Sequence, residues 1–217
     1  MRDVNRRSLR ISGSPSRPYW HDTQTEKSWK ILQGMKGKFP FVLIGGWAVY
    51  LWTRSQKSKD IDIIVDIKTL ALLKKNYDLR KNEIMRKYEI KMDEIDIDIY
   101  VNHYSRLGIS IGDVEATKIE GFEVAKPEFL LALKQTAELS RKESEKGEKD
   151  RIDIIGMLLK CDIEFGKYVK ILGGRNEFMA RLISIIRNFK DPEYFGMTPR
   201  QLKLAKQDLL KKIGEAI

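Results

Sequence analysis

The sequence predicts an α/β domain followed by a helical C-terminal region, and three observations predict it. Phe41-Val-Leu-Ile-Gly-Gly-Trp-Ala-Val-Tyr-Leu-Trp52 reads as a short apolar strand, a Gly-Gly turn and an apolar helix. Ser58-Lys-Asp-Ile-Asp-Ile-Ile-Val65 and Glu94-Ile-Asp-Ile-Asp-Ile-Tyr-Val101 alternate polar and apolar residues, the pattern of half-buried strands. From Lys126-Pro-Glu128, where Pro suits a first helical turn, the chain is helical in pattern to Ile217.

The elements follow in order. Residues 1–22 are rich in Arg, Ser and Pro without apolar periodicity, which predicts a basic flexible arm, with Tyr19 and Trp20 available for docking. Thr25 to Gly37 reads as a helix with Trp29, Ile31, Leu32 and Met35 at its apolar positions. After the Phe41 strand, the Trp47 helix and the Asp60 strand, Asp66 caps a helix from Lys68 to Lys75. Lys87 to Met92 is expected to pair through a tight turn with the Glu94 strand, and Ile119-Glu-Gly-Phe-Glu-Val124 to form a hairpin edge. Ser140 to Lys149 reads as a charged loop and Asp150 to Lys160 as a helix capped by Asp150. Three further helices follow, punctuated by Gly173-Gly174 and Asp191-Pro192. The organisation is thus an arm (1–22), an α/β domain (23–125) and a helical region (126–217), without internal repeats.

Composition narrows the partners. Lys+Arg 41 against Asp+Glu 31 leaves a formal charge of +10, which favours an anionic partner: nucleic acid, a nucleotide or an acidic protein surface. No apolar run approaches a membrane-spanning length, and the N-terminus has arginines but no apolar signal region. The single Cys161 excludes an internal disulfide framework and fits a reducing cytoplasm. With only His21 and His103 beside it, a structural zinc site is not expected.

The chemistry concentrates in the strands. Residues two apart share a strand face, so Asp60 and Asp62 project together while Ile61, Ile63 and Val65 enter the core. Adjacent carboxylates repel and are costly near a core unless a cation lies between them. Gly45-Gly46 lets backbone approach a ligand at a helix start, where free N–H groups favour phosphate. Asp96 and Asp98 share the polar face of the later strand, and either is able to join the pair. Three carboxylates around two magnesium ions suit transfer from a nucleoside triphosphate, one ion activating the attacking oxygen and the other clamping the triphosphate.

Plainer readings exist for each piece. A Gly-Gly between strand and helix is often only a tight turn, and strand carboxylates are usually solvated. Lys134 lies amid Phe129, Leu130, Leu131 and Leu133, as a snorkelling lysine would. Trp47, Tyr50, Leu51 and Trp52 suit the core, and His103 the surface. The conjunction of all three elements in order is what favours a site.

Gly45-Gly46, Asp60-x-Asp62 and the later Ile-Asp98-Ile strand resemble the signature of the DNA polymerase β-type nucleotidyltransferase superfamily. Lys126-Pro-Glu-Phe-Leu-Leu-Ala-Leu-Lys134, Arg141 and Gly147-Glu-Lys-Asp150-Arg-Ile-Asp153 resemble the helical motif of AbiEii-type and related minimal prokaryotic nucleotidyltransferases. The resemblance implies a mixed, antiparallel-rich sheet flanked by helices, with a helical extension. It also implies transfer of NMP from an NTP such as ATP to an acceptor hydroxyl, releasing pyrophosphate. Carried over, Asp60, Asp62 and Asp98 (or Asp96) hold two magnesium ions, and Gly45 and Gly46 contact phosphate. Ser58 and Lys59 belong to the nucleotide side, with Lys134 and Asp150 on the nucleotide or acceptor side. Gly46 stands where many members have Ser, which removes a hydroxyl from the phosphate loop.

For the acceptor, relatives point to tRNA ends, proteins or aminoglycoside-like antibiotics, and an antitoxin or other protein partner fits an AbiEii toxin-like role. The charge, the arginine arm and Arg181, Arg187, Lys203, Lys206, Lys211 and Lys212 favour RNA. The other class is a catalytically inactive nucleotide- or RNA-binding module of the same fold.

Overall fold

The computed structural model describes residues 17–216. The expected arm falls largely on residues 1–16, outside the described residues. In chain order the elements are α1 (Asp22–Met35), β1 (Val42–Ile44), α2 (Gly45–Thr53), β2 (Ile61–Val65), α3 (Ile67–Asn76), β3 (Arg80–Asn82), β4 (Lys87–Met92) and β5 (Ile95–Val101). They continue with β6 (Ala116–Ile119), β7 (Phe122–Ala125), α4 (Pro127–Arg141), α5 (Glu145–Lys160), α6 (Phe165–Leu172), α7 (Asn176–Asn188) and α8 (Pro199–Ala216). No helix among the described residues is long and apolar enough to cross a membrane.

One seven-stranded mixed sheet, ordered β3-β4-β5-β2-β1-β7-β6, forms the centre. β2 runs parallel to β5, β1 runs parallel to β7, and the remaining neighbours are antiparallel. Alternation in β2 and β5 buries Ile61, Ile63 and Val65 on one strand and Ile95, Ile97, Ile99 and Val101 on the other, leaving the aspartates on the opposite face. In α1 the buried residues Thr25, Ser28, Leu32 and Met35 recur at helical spacing. Ser28 Oγ accepts the indole N–H of Trp47 at 2.7 Å, which satisfies a tryptophan buried to 1% exposure. Asp66 caps α3 as expected, its carboxylate accepting from Thr69 N at 2.7 Å.

Three expectations are corrected. β6, not the whole hairpin, is the sheet edge, because β7 adds in parallel to β1. The charged loop after α4 shrinks to residues 142–144: Ser144 is the N-cap of α5, its hydroxyl accepting from Gly147 N at 3.1 Å. Asp150 is therefore not a cap but an interior helical residue, 1% exposed. β3, which extends the sheet beyond β4, has no apolar residue in Arg80-Lys-Asn82 and left no strand pattern to read.

Gln56 ties distant parts of the chain to the α2–β2 connection. It is 3% exposed; its amide donates to the carbonyls of Arg17 (3.0 Å) and Tyr194 (3.2 Å) and its oxygen accepts from Tyr19 N (2.9 Å). Trp20, beside Tyr19, lies under Lys59, whose ammonium is 4.0 Å from the ring centre.

Candidate active site

The chain leaves β1 at Ile44 and turns directly into α2 through Gly45, whose φ of +66° is open to glycine at low cost. Ile44 is the register partner of Asp62 on β2, so the turn brings the start of α2 against that aspartate. The approach is close: a Cβ on Gly45 would lie 2.0 Å from Asp62 Oδ2, and one on Gly46 would lie 2.6 Å from Ser58 Oγ. Packing thus requires glycine at both positions, and backbone conformation requires it at Gly45 as well. Gly45→Ala is expected to cost at least about 2 kcal/mol in urea unfolding, from strain plus eviction of the Asp62 carboxylate; a loss below 0.5 kcal/mol, roughly that of a neutral surface change, would contradict this packing.

Ser58 is 8% exposed and donates from Oγ to the carbonyl of Asp60 at 3.0 Å, which fixes the entry into β2. Its hydroxyl thereby stands beside Gly46, the position at which the resemblance expects a serine side chain. Asp62 and Asp98 are register partners across the parallel β2–β5 pair, and Glu89 on β4 is the partner of Asp98 from the other side. One sheet face therefore carries Glu89, Asp98 and Asp62 side by side, with Asp60 just ahead of β2.

Two lysines answer this negative charge. Lys87 Nζ lies 2.7 Å from Asp98 Oδ2 and 3.1 Å from Glu89 Oε1, and Lys146 Nζ lies 3.1 Å from Asp60 Oδ2. Asp62 has neither kind of partner among the described residues. Burial, followed by repulsion from Asp98 and Asp60, pushes its carboxyl up to about 6, against the pull of Lys134 and Lys87. Burial also raises Asp98, although Lys87 opposes the shift. Neighbouring strands thus hold hard oxygen donors that repel one another, a donor set that suits magnesium. Among the described residues no three donors are gathered into a metal-binding group, and Asp60 and Asp98 each face a lysine. Asp62 is open to a divalent ion, whereas Asp60 and Asp98 would have to leave their lysines to join it.

Behind the sheet residues, α4 and α5 form a buried ionic cluster. Lys134 Nζ lies 3.0 Å from Asp150 Oδ1 and 2.8 Å from Asp153 Oδ2; Arg141 closes on Asp150 at 2.7 Å and Lys149 on Asp153 at 2.5 Å. Burial works to lower Lys134, but Asp153 and Asp150 outweigh it, with Asp62 adding to them, and hold the ammonium well above the usual lysine range. The same burial lowers Lys149, against the attraction of Asp153. Lys134 is therefore not a snorkelling side chain: its head stays inside because carboxylates surround it, and its charge is felt at Asp62.

The structure thus brings Gly45, Gly46, Ser58, Asp60, Asp62 and Asp98 together, with Lys134 within electrostatic reach of Asp62. Asp150 reaches this group only through Lys134. Asp96 is exposed and faces Lys91 at 3.9 Å, and Lys59 is engaged with Trp20. Lys87, Glu89 and Lys146 were missed at the sequence level. The alternation of Lys87-Tyr-Glu89 carried the signal for the first two, whereas Lys146 joins Asp60 only through the packing of α5.

The order and pairing of these strands, with α2 springing from β1 beside the aspartates, make this the nucleotidyltransferase fold. A nucleotidyltransferase-classed protein from H. pylori superposes with a TM-score of 0.51 at 17% identity, covering 91% of this chain and 99% of that one. JHP933 from Helicobacter pylori gives a TM-score of 0.47 at 17% identity over 88% of this chain and 94% of its own. An antigenic nucleotidyltransferase-like protein from Paracoccidioides brasiliensis gives 0.45 at 17% over 81% and 92%. No protein-family model matches the sequence, and no curated protein does.

Proposed function

We propose that the protein is a metal-dependent nucleotidyltransferase that moves NMP from an NTP to an acceptor hydroxyl, with RNA, including tRNA, as the acceptor. The observation that carries this reading is the seating of Asp62 against Gly45 at the start of α2, level with Asp98 on the neighbouring strand. A triphosphate at that helix start meets free N–H groups, the Gly45-Gly46 backbone and the Ser58 hydroxyl. Asp60, Asp62 and Asp98 are the residues that would hold magnesium, which supplies positive charge to the triphosphate and the departing pyrophosphate. Asp98 accepts the proton of the acceptor hydroxyl; the freed oxygen attacks the α-phosphorus, and the bond from that phosphorus to the bridging oxygen of pyrophosphate breaks. Lys134 offsets part of the carboxylate charge from behind, held in place by Asp150 and Asp153.

A second reading, a nucleotide- or RNA-binding module without turnover, has one observation in its favour: Lys87 and Lys146 already neutralise Asp98 and Asp60. Incorporation of each α-labelled NTP, with magnesium, into total tRNA, total protein and an aminoglycoside panel separates the two. Label on tRNA that is lost in Asp60→Ala/Asp62→Ala is the expected result. Label only on protein or drug would replace the acceptor, and nucleotide binding without label anywhere would favour the module.

A further inference from the structure

The positive charge of the C-terminal helices divides into two kinds. Arg181 is paired with the buried Glu138, Lys211 with Glu215 and Lys212 with Asp208. Arg187, Lys190, Lys203 and Lys206 have no carboxylate partner among the described residues, and all four line one hollow of about 350 Å³ between α7 and α8. No lining side chain is acidic, and the floor is apolar, formed by Leu202 and Leu210. Arg187 lies in the last turn of α7 and Lys190 two residues past its end, while Lys203 and Lys206 are three apart on α8, so both sides of the hollow contribute two cations.

Such crowding has a cost in the free protein. Lys206 spends its ammonium on the last carbonyls of α7, donating to Arg187 O at 2.7 Å and Phe189 O at 2.9 Å. Burial and the nearby charge of Lys190 lower its pKa. Four unneutralised cations around an apolar floor are complementary to a phosphodiester chain, whose phosphates meet the walls while bases or sugars cover the floor. The hollow also does not end there. Phe189 and Lys190 are shared with a second hollow of about 520 Å³, lined by Arg151 of α5 together with the carboxylates Glu148 and Asp191. The first turn of α5 carries Lys146, the partner of Asp60. A chain leaving the basic groove along α7 would meet Glu148 and Asp191 before that turn, so the phosphate contacts belong to the α7–α8 groove itself.

We propose that the α7–α8 groove binds the phosphodiester backbone of RNA, with Arg187, Lys190 and Lys203 as its phosphate contacts. That this RNA is the acceptor rests on the nucleotidyl-transfer reading; the binding itself does not. The test is fluorescence anisotropy with a labelled single-stranded RNA of about 20 nucleotides, across a salt series, using the full chain. Lys190→Gln/Lys203→Gln is compared with Lys211→Gln/Lys212→Gln, which removes the same charge from paired lysines; Lys206 is left intact because it caps α7. Far-UV circular dichroism and the urea-unfolding midpoint serve as the check that each variant is folded. The expected result is an affinity loss of about tenfold or more in the groove variant, with a salt slope reduced by about one to two, and little change in the control variant. Equal losses in both variants, or none in the groove variant, would overturn the site. Polyglutamate binding as tightly as RNA would overturn the nucleic-acid assignment in favour of an acidic protein. RNA binding lost as expected, without label transfer by the wild type, would leave the groove standing and overturn only the catalytic reading.

Discussion

Asp62→Asn is expected to abolish nucleotide transfer, by a factor of about 1000 or more, in a protein that is more stable than the wild type at pH 8 without metal. The first half follows from the position of Asp62 among the proposed metal donors. A thousandfold loss corresponds to about 4 kcal/mol of transition-state stabilisation, within what a metal clamp on a phosphoryl group supplies. The second half follows from the same repulsion that makes the site attractive to a cation. The carboxyl of Asp62 is pushed from 3.8 to about 6 by burial and by Asp98 and Asp60. The folded state therefore holds a proton there that the unfolded chain releases. Ionised above pH 6, the group opposes folding; as pH falls through about 6 towards 3.8, that penalty disappears and this contribution to stability rises. The asparagine variant lacks this part of the slope, and magnesium is expected to stabilise the wild type but not the variant. Urea unfolding at pH 8 and pH 5, with EDTA or magnesium, reads all of this. A variant that still transferred label would sink the assignment of Asp62.

Lys134→Met is expected to destabilise the protein by about 3–5 kcal/mol, the range for removing one partner of a buried ion pair. Asp150 and Asp153 are each 1% exposed, and both lose their shared ammonium. Arg141 and Lys149 remain to them, which places the cost towards the lower end of that range. Adding Asp150→Asn, which keeps the buried Lys149–Asp153 pair and frees only the partly exposed Arg141, recovers part of the loss, as expected for coupled neighbours. Urea unfolding of the single and double variants measures both values. A loss under 1 kcal/mol, the ordinary yield of an exposed pair, would show that the cluster does not need its central cation.

The legible part of the molecule is the part with local patterns. Ile61-Asp-Ile-Ile-Val65 and Ile95-Asp-Ile-Asp-Ile99 announce their buried faces by alternation, and Gly45-Gly46 announces the turn before α2. From these the sheet follows once the strands are neighbours, but the register that sets Asp98 rather than Asp96 beside Asp62 depends on the β2–β5 pairing itself. What was not legible depends on packing. Glu145 to Lys149 is charged enough to read as a loop, but Ser144 caps it and the burial of Lys149, Asp150 and Asp153 makes it helix. The pairing of Lys146 with Asp60 joins residues 86 positions apart, and no local period encodes such a contact. The separation of Lys203 from Lys211 and Lys212 as unpaired against paired likewise depends on which residues face α7 and which find a carboxylate one turn along α8.

Gln56 has a consequence in time. Its amide bridges backbone on the N-terminal side of the sheet and Tyr194, 138 residues further along, and it sits two residues before Ser58 and four before Asp60. During synthesis, at about 5–20 residues per second, the α2–β2 connection lacks its last anchor until Tyr194 has left the ribosome. Closing so long a loop is slow because its entropy is lost before the contact forms. The last hold on the approach to Asp60 is thus a contact that only a chain extended as far as Tyr194 is able to make.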